Sequence, residues 1–363
     1  MKIAHLISGG VDSSVALHLL RAEGHEVTAF YLKIWLEDEL SHLGDCPWEE
    51  DLRFARAVCQ DAGAELEVLP FQRRYHREVV SSALDELRAG GTPSPDVLCN
   101  RRIKFGAFVD HLEAERPGEL DAVSSGHYAR LAGEPGRRRL LRGVDPVKDQ
   151  TYFLFRLDPH RLDRCRFPVG DLPKRRVREL AHRFGLPNRD RKDSQGICFL
   201  GKIPFDDFVR AHLGERPGEI REAGSGRPLG EHLGYWFHTI GQRRGLGLSG
   251  GPWYVVGKDV ARNVVLVAHR AHLDAHRRDR FRLADPHWLG TPPDPGRLEV
   301  KVRHSPETLG CELLALDPGE VAGGGFEVRL DRPDPGLAAG QAAVLYDGEL
   351  CLGGGTIVPA APP

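Results

Sequence analysis

The sequence predicts an open parallel α/β domain that gives way, near residue 205, to a run of short strands folded as a small β-barrel or sandwich. Three observations carry this. Strand-like and helix-like segments alternate over roughly the first 70 residues. A glycine- and serine-rich loop joins the first strand to the first helix. Beyond Phe205 helical periodicity fades, and turn signals recur about every 8–12 residues.

Taken in order, KIAHLI at the N-terminus is a short apolar run of strand length. After SGGVDSS comes VALHLLRAEGH, where Val15, Leu19 and Ala22 share a helical face with Ala16 and Leu20 beside it. Gly24 stands where a helix ends. EVTAFYLKIW is a second strand, LRFARAVCQDAG a second helix and ELEVLPF a third strand. A helical stretch runs to Arg88, and GGTPSPDVLCNRRIKFGAFVDH passes from a Pro/Gly loop into a helix. DAVSSGHYAR is a strand ending in a loop, and GEPGRRRLLRGVD is a hairpin arm. PGEIREAGSGRPLGEHLGYWF and PWYVVGKDVARNVVLVA are short strands broken at glycine turns, as are the segments of the C-terminal tail.

A chain of 363 residues suggests two or three domains. A net charge of -2 excludes a globally basic nucleic-acid coater but leaves room for local basic faces. Residues 156–192 hold twelve Lys/Arg against five Asp/Glu, and this stretch is expected to contact phosphates. No apolar run approaches the ~18 residues of a membrane span, and the N-terminus is too short for a signal h-region. The expectation is a cytosolic protein. The seven cysteines are irregularly spaced and form no CxxC pair, so neither a disulfide framework nor a zinc site has support, and no metal ligands are assigned.

The chemistry concentrates in a few motifs. In SGGVDSS two glycines let backbone N–H groups close on an anion at a helix N-terminus. Ser8, Ser13 and Ser14 can donate hydrogen bonds, and Asp12 can position Mg²⁺ against a pyrophosphate. The loop is neither Walker A nor GxGxxG; it matches the pyrophosphate loop of enzymes that cleave ATP to AMP and pyrophosphate. In TPSPDVLCNRRIKF, Asp96 and Cys99 lie one helical turn apart, and Arg101, Arg102 and Lys104 are expected to favour a Cys99 thiolate. RKDSQGICFLG sets Cys198 after a glycine, near Arg191, Lys192 and Lys202. Cys59, Cys165, Cys311 and Cys351 read as inert buried side chains, and Cys46 is undecided. GHYAR lies at a strand's C-terminal end, where open α/β sheets bind ligands. There Gly126 lets a nucleotide approach, while His127 is as readily a core residue as a ligand. KDQTYFLF is either a solvated turn or a base-reading loop. HTIGQRRGLGLSG is either a solvated turn or a phosphate contact through Arg243 and Arg244.

Together SGGVDSS, TPSPDVLCNRRIKF, GHYAR, KDQTYFL, KDSQGICFLG, HTIGQRRGLG, PWYVV and CLGGG resemble, over nearly the whole chain, the tRNA-uridine 2-sulfurtransferases of the MnmA/TrmU family. The resemblance implies three domains: a pyrophosphate-loop ATP-binding and catalytic domain over 1–204, a small central tRNA-binding domain over 205–275 and a C-terminal β-barrel over 276–363. It implies ATP-dependent 2-thiolation of the wobble uridine in tRNAs for Lys, Glu and Gln, with ATP and Mg²⁺ as cofactors. It also implies tRNA and a persulfide-donor protein as partners and leads us to expect a cytoplasmic monomer. Leu6, Ile7, Ser8, Gly9, Gly10, Val11, Asp12, Ser13, Leu32 and Gly126 would line the ATP site. Ser94, Pro95 and Asp96 would face the target base, with Lys148, Asp149 and Gln150 beside it. Asp96 would orient the uracil or move its proton. Cys198 would carry the persulfide and Cys99 would be its partner thiol, the two ending as a disulfide. His127, Arg303, His304 and Gln341 fall where the family contacts tRNA. Three positions depart from the family: Ser94 replaces Asn, Leu32 replaces Met and His304 replaces Tyr. The competing reading is another pyrophosphate-loop ligase acting on a small molecule, which needs neither paired thiols nor a barrel.

Overall fold

The apolar N-terminal run forms β1 (Lys2–Leu6), buried on both faces after its first residue, as an inner strand of a parallel sheet must be. The computed structural model describes residues 1–34, 48–193, 203–316 and 325–359. Cys46 and Cys198 lie outside the described residues. β1 pairs in parallel with β2 (Glu26–Lys33) on one side and β4 (Ala122–Ser125) on the other. β3 (Glu65–Pro70) and a two-residue β7 (Cys165–Arg166) complete the order β3-β2-β1-β4-β7.

Side chains alternate across this sheet. Ile3 and Ile7 join Leu17 and Leu20 of α1 (Val11–Ala22) and Leu52, Ala55 and Val58 of α2 (Trp48–Ala62). Ala4, Leu6 and Phe30 face α3 (residues 72–88) and α4 (residues 95–115) through Tyr75, Val79, Val80, Ile103 and Phe108. Both of these helices contain π-helical turns, at His76–Val80 and at Cys99–Ala107. α5 (Lys174–Arg183) looks wholly basic, yet Val177, Leu180 and Ala181 recur at helical spacing and bury against Val11 and Val15 of α1. Each such burial is worth about 1.5–3 kcal/mol for a Val or Leu, enough to seat this charged helix beside the first loop.

After α6 (Phe205–Leu213) comes a four-stranded sheet of β8 (Gly218–Glu222), β9 (Pro228–His232), β10 (Trp253–Asp259) and β11 (Val264–His269). Its order is β10-β11-β8-β9. The last six strands are β12 (Arg278–Trp288), β13 (Gly296–Lys301), β14 (Leu309–Leu316), β15 (Gly325–Asp334), β16 (Ala342–Asp347) and β17 (Leu350–Pro359). They run antiparallel in the order β12-β15-β14-β13-β16-β17, and β12 pairs again with β17. The alternatives of barrel and sandwich therefore resolve to a closed barrel. The glycines of CLGGG make closure feasible: a Cβ on Gly353 would lie 2.2 Å from the His287 carbonyl oxygen, and one on Gly354 2.0 Å from that of Ala343.

The hairpin arm of β5 (Ala129–Ala132) and β6 (Arg139–Arg142) leaves the N-terminal region and adds to the barrel's sheet. Leu141 pairs with Leu350 of β17, the Arg142 N–H donates to the Glu349 carbonyl at 2.8 Å, and Arg130 bonds the Glu349 carboxylate at 2.8 Å. Among the described residues no helix is long and apolar enough to cross a membrane.

Candidate active site

The β1–α1 loop is built around Gly9, whose φ of +74° favours glycine and whose absent Cβ would lie 2.3 Å from the Asp51 carbonyl oxygen. The Ser8 N–H donates to Ser13 Oγ at 3.2 Å, and Ser13 and Ser14 hydroxyls donate to the Gly10 carbonyl at 3.1 and 2.9 Å. Asn188 Nδ2 donates to both the Gly9 carbonyl and Ser14 Oγ at 2.8 Å. Arg191 bonds the Gly9 carbonyl at 3.2 Å and the Asp51 carboxylate. Beneath the loop lies fully buried His5, with Nε2 2.8 Å from the Ser13 carbonyl and Nδ1 3.2 Å from Ser124 Oγ. Burial pushes its pKa down to about 4, so the ring is neutral, donates to the carbonyl and accepts from the serine. Leu6, Ile7 and Val11 are buried supports of the loop, and Leu32 packs half-buried against the same core. Gly126 closes the far side: a Cβ there would meet Ser13 N at 2.6 Å and Asp12 C at 2.9 Å.

Asp12 begins α1 with its Oδ1 already engaged, accepting from Tyr128 Oη at 2.7 Å and from Lys174 Nζ at 2.6 Å. Lys174 also reaches Asp193 at 2.8 Å, which Lys148 meets at 2.7 Å and Arg178 bonds as well. Burial pushes the Asp193 carboxyl up, but Lys148 and Lys174 outweigh it and hold it well below the usual range. The result is a knot of two lysines, one arginine and two carboxylates beside the loop. Mg²⁺ with a triphosphate needs one or two protein carboxylates, and Asp12 and Asp193 are a fitting pair, linked by one lysine. Among the described residues no cluster of three metal-ligating side chains occurs.

α4 starts at Pro95, and Ser94, Pro95 and Asp96 form its first turn. Asp96 Oδ1 is buried with no hydrogen-bond partner among the described residues. An unsatisfied buried acceptor costs stability, which suits an atom that acquires its donor from a substrate. Cys99 is fully buried in the same helix. The expected electropositive surroundings are corrected by the structure: burial pushes the thiol up, and Lys104 and Tyr75 oppose it only in part. Arg102 turns away to the Glu78 carbonyl and Ser82 Oγ, and Arg101 lies toward Asp285 and Arg156. His127 sits half-buried against Phe105 and Phe167, with Nδ1 2.7 Å from Ser125 Oγ. Burial and then Lys104 push its pKa well down, so it is neutral.

The barrel supplies the opposite wall. Tyr152 bonds Ser94 and donates to the Ala342 carbonyl at 3.0 Å, next to Gln341, while Arg303 lies within electrostatic reach. The Thr92 N–H donates to the Ala339 carbonyl at 2.8 Å. His304 is exposed, with its ring 4.6 Å from that of Phe153 and Nε2 3.2 Å from the Asp149 carbonyl. Arg303 is paired with Asp334. Ser94, Lys148, Asp149, Gln150, Arg303, His304 and Gln341 thus meet at one junction. Asp149 departs from expectation, for its carboxylate is wholly buried. The long basic stretch departs too. Arg161 bonds the Phe105 and Gly106 carbonyls, Arg164 bonds Glu113 and the Leu120 carbonyl, and Arg178 and Arg191 are tied as above. Much of its charge is satisfied internally, leaving Arg175, Arg176, Arg183, Arg189 and Lys192 exposed. Arg243 and Arg244 are both exposed, and Arg243 lines a groove with Leu246, Leu248 and Trp253.

Comparison with known proteins covers the whole described architecture. Family models match residues 1–202 (tRNA methyl transferase HUP domain), 206–269 (tRNA methyl transferase PRC-barrel domain) and 278–357 (aminomethyltransferase β-barrel domain). A tRNA-specific 2-thiouridylase of Bacteroides thetaiotaomicron is 44% identical, covering 98% of this chain and 99% of that protein. One from Bacteroides fragilis is 43% identical over 98% and 100%, and one from Parabacteroides distasonis 40% identical over 99% and 99%. The chain belongs to the tRNA-specific 2-thiouridylase family. Among solved structures, a 4-thiouridine synthetase bound to RNA and ATP aligns at 12% identity and a TM-score of 0.34 over 59% of this chain and 50% of that one.

Within this family member, sequence reasoning passed over Lys174, Asp193, Asn188, Arg191, Tyr128 and His5 as individual site residues. Tyr128 stood inside GHYAR, and its position two residues past Gly126 was the available signal. Lys174, Asn188 and Arg191 contact the loop, and Asp193 contacts Lys174, from distant parts of the chain with no local pattern, while His5 sits inside the apolar run of β1. Two family departures have visible settings: Ser94 keeps a hydrogen bond to Tyr152, and His304 offers an aromatic face next to Phe153.

Proposed function

We propose that this chain is an ATP-dependent tRNA-uridine 2-sulfurtransferase that converts the wobble uridine of tRNAs for Lys, Glu and Gln into 2-thiouridine. The observation that carries the reading is the juxtaposition of a built pyrophosphate loop, the Asp96–Cys99 helix turn and an aromatic-lined barrel wall, on a chain akin throughout to 2-thiouridylases. All three matching family models carry a methyl- or aminomethyl-transfer name; a pyrophosphate loop and a cysteine one helical turn from a carboxylate with an unpartnered buried oxygen serve no obvious purpose in methyl transfer and fit thiolation.

The chemistry follows from a leaving-group problem. The uracil 2-oxygen leaves poorly, so it attacks the α-phosphorus of ATP and pyrophosphate departs. The loop N–H groups, Ser8, Ser13 and Lys174 stabilise the charge on that pyrophosphate. Asp12 and Asp193 are the residues that would hold Mg²⁺, which when bound with the phosphates would neutralise further charge. The terminal sulfur of a Cys198 persulfide then attacks carbon 2 and AMP leaves. Cys99 thiolate attacks Cys198 Sγ, the S–S bond to the base breaks, and a Cys99–Cys198 disulfide remains. In the alternative order Cys99 attacks the persulfide first and the freed sulfide displaces AMP. Cys99 must lose its proton in either order, and Lys104 is the cation that favours this against burial. Asp96 accepts a hydrogen bond from the uracil N3–H.

The target base is splayed out of its loop to reach the site. Arg243, Arg244, Arg303 and the exposed arginines of α5 hold the tRNA phosphates, and His304 stacks on a nucleotide. The donor of sulfur is a persulfide-bearing protein. We place the three functional units at 1–204, 205–275 and 276–363, in a cytoplasmic monomer. The test is mass spectrometry of nucleosides from unmodified tRNA incubated with the protein, ATP and a persulfide donor. The expected result is 2-thiouridine, absent without ATP and absent in Cys198→Ser. ATP cleavage that ignores tRNA and survives Cys198→Ser would instead identify a small-molecule ligase.

A further inference from the structure

We propose that Asp149 is a positioning residue rather than an RNA contact: barrel Lys301 holds it, and through it the Lys148–Gln150 turn that joins the tRNA-facing barrel to the pyrophosphate loop. This rests on the thiolation reading above.

The Asp149 and Lys301 side chains are both 0% exposed, and Nζ lies 2.7 Å from Oδ2. The other oxygen, Oδ1, accepts from Thr151 Oγ1 at 2.8 Å, Gly143 N at 3.2 Å and Thr151 N at 3.3 Å. Arg142 approaches Oδ2 to 3.6 Å, and Tyr346 donates its hydroxyl hydrogen to Thr151 Oγ1 at 3.2 Å, its ring lying beneath both cations. The carboxylate thus takes protein donors on both oxygens and has no exposed surface on which a nucleotide could reach it. A buried ion pair repays its desolvation poorly as a source of stability. What this one achieves is geometric. It ties β13 of the barrel to a turn more than 150 residues earlier in the chain.

The residues flanking Asp149 point both ways from that tie. Lys148 reaches Asp193. Gln150 exchanges two bonds with Tyr128, its Oε1 accepting from Tyr128 N at 2.9 Å and its N–H donating to the Tyr128 carbonyl at 3.0 Å. Tyr128 Oη then donates to Asp12 of the loop. On the barrel side His304, three residues beyond Lys301, contacts the Asp149 carbonyl. Removing the Lys301 charge therefore loosens a turn that contacts the ATP side and the tRNA side at once.

The experiment measures three quantities on the full-length protein: ATP affinity without tRNA, affinity for unmodified tRNA, and kcat for AMP formation at saturating tRNA, expressed per ATP-binding site. Lys301→Met is expected to keep both affinities within about threefold while kcat falls by about tenfold or more. Normalising to ATP-binding sites removes any loss of folded protein. Thr151→Val, which removes one bond to Asp149 and no charge, is expected to move kcat in the same direction by about threefold, and it decides the matter if Lys301→Met does not fold. The Asp149→Asn/Lys301→Met double variant is expected to be no slower than Lys301→Met alone, because the two act as one unit. A kcat per site within about twofold of wild type overturns the proposal, as does weakening of tRNA affinity by as much as kcat falls. Wild-type protein that forms no AMP with tRNA refutes the thiolation reading instead.

Discussion

Replacing Gly126 by alanine puts a single methyl group against the pyrophosphate loop. The added Cβ would stand 2.6 Å from Ser13 N, 2.8 Å from Ser13 Cα and 2.9 Å from Asp12 C. All three are backbone atoms, so no flexible side-chain end can swing aside. Reaching an ordinary contact of about 3.5 Å requires the start of α1 to retreat by about 1 Å. Overpacking of this kind costs about 1–3 kcal/mol, which lowers Tm by a few degrees in a protein of this size. The larger effect is on function, since the displaced atoms include the Ser13 N–H of the loop we propose holds the phosphates, and a misplacement of about 1 Å costs on the order of 100-fold in rate. We expect Gly126→Ala to weaken ATP binding by at least about tenfold, read by calorimetric titration, and to slow tRNA-dependent pyrophosphate release by about 100-fold. Gly290→Ala is the matched control, because a Cβ there meets nothing within 4 Å. If Gly126→Ala binds and cleaves ATP like wild type while Gly290→Ala does the same, the loop is not held where we place it and the steric argument is wrong.

Lys174→Met removes the cation between Asp12 and Asp193. It is expected to slow pyrophosphate release by about 100-fold in the same assay, and a wild-type rate would take Lys174 out of the phosphate site. His5 has a folded pKa of about 4 against an ordinary 6.5, so the unfolded chain binds its proton more readily. Its contribution is complete above pH 6.5 and is lost as pH falls toward 4, by at most about 3 kcal/mol. Urea unfolding of wild type and His5→Gln at pH 7.5 and 4.5 is expected to show a smaller pH effect in the variant; His127 and His238, which burial also lowers, keep contributing in both proteins. An identical pH effect in both proteins would contradict the neutral-imidazole assignment. Joint replacement of Arg243 and Arg244 by alanine is expected to flatten the log–log salt dependence of tRNA affinity by roughly 0.7–0.9 per lost phosphate contact, and an unchanged slope would exclude that loop from the RNA footprint.

The α/β rhythm was legible because local periodicity decides it: Ile3 and Ile7 alternate with Ala4 and Leu6 across β1, and α1 repeats its apolar face every turn. The pyrophosphate loop was legible for the same reason, since its glycine requirement and helix start are neighbours in sequence. Barrel closure was not, because an inward-outward alternation serves a sandwich as well as a barrel, and what distinguishes them is β12 meeting β17 some 70 residues later. Charges were least legible. Lys174 and Arg191 stand in a run that suggests a phosphate-facing surface, yet their partners are Asp12 and Asp51, more than 130 residues away. Sequence proximity also misled at Cys99, where Arg102 bonds elsewhere, Arg101 is exposed and burial governs the thiol. No local pattern distinguishes Lys301 from a solvated strand lysine; only the assembled fold shows the carboxylate it meets.

The hairpin that β5 and β6 contribute to the barrel bears on how the molecule comes apart. Strand edges left without neighbours invite adhesion, and a cut between the N-terminal sheet and the barrel would strip β17 of its contacts to Leu141, Arg142 and Arg130. The C-terminal barrel is thus completed by residues translated more than 130 positions before it begins. Denaturation should run as one cooperative event rather than as successive melting of modules, and excised fragments should be sticky.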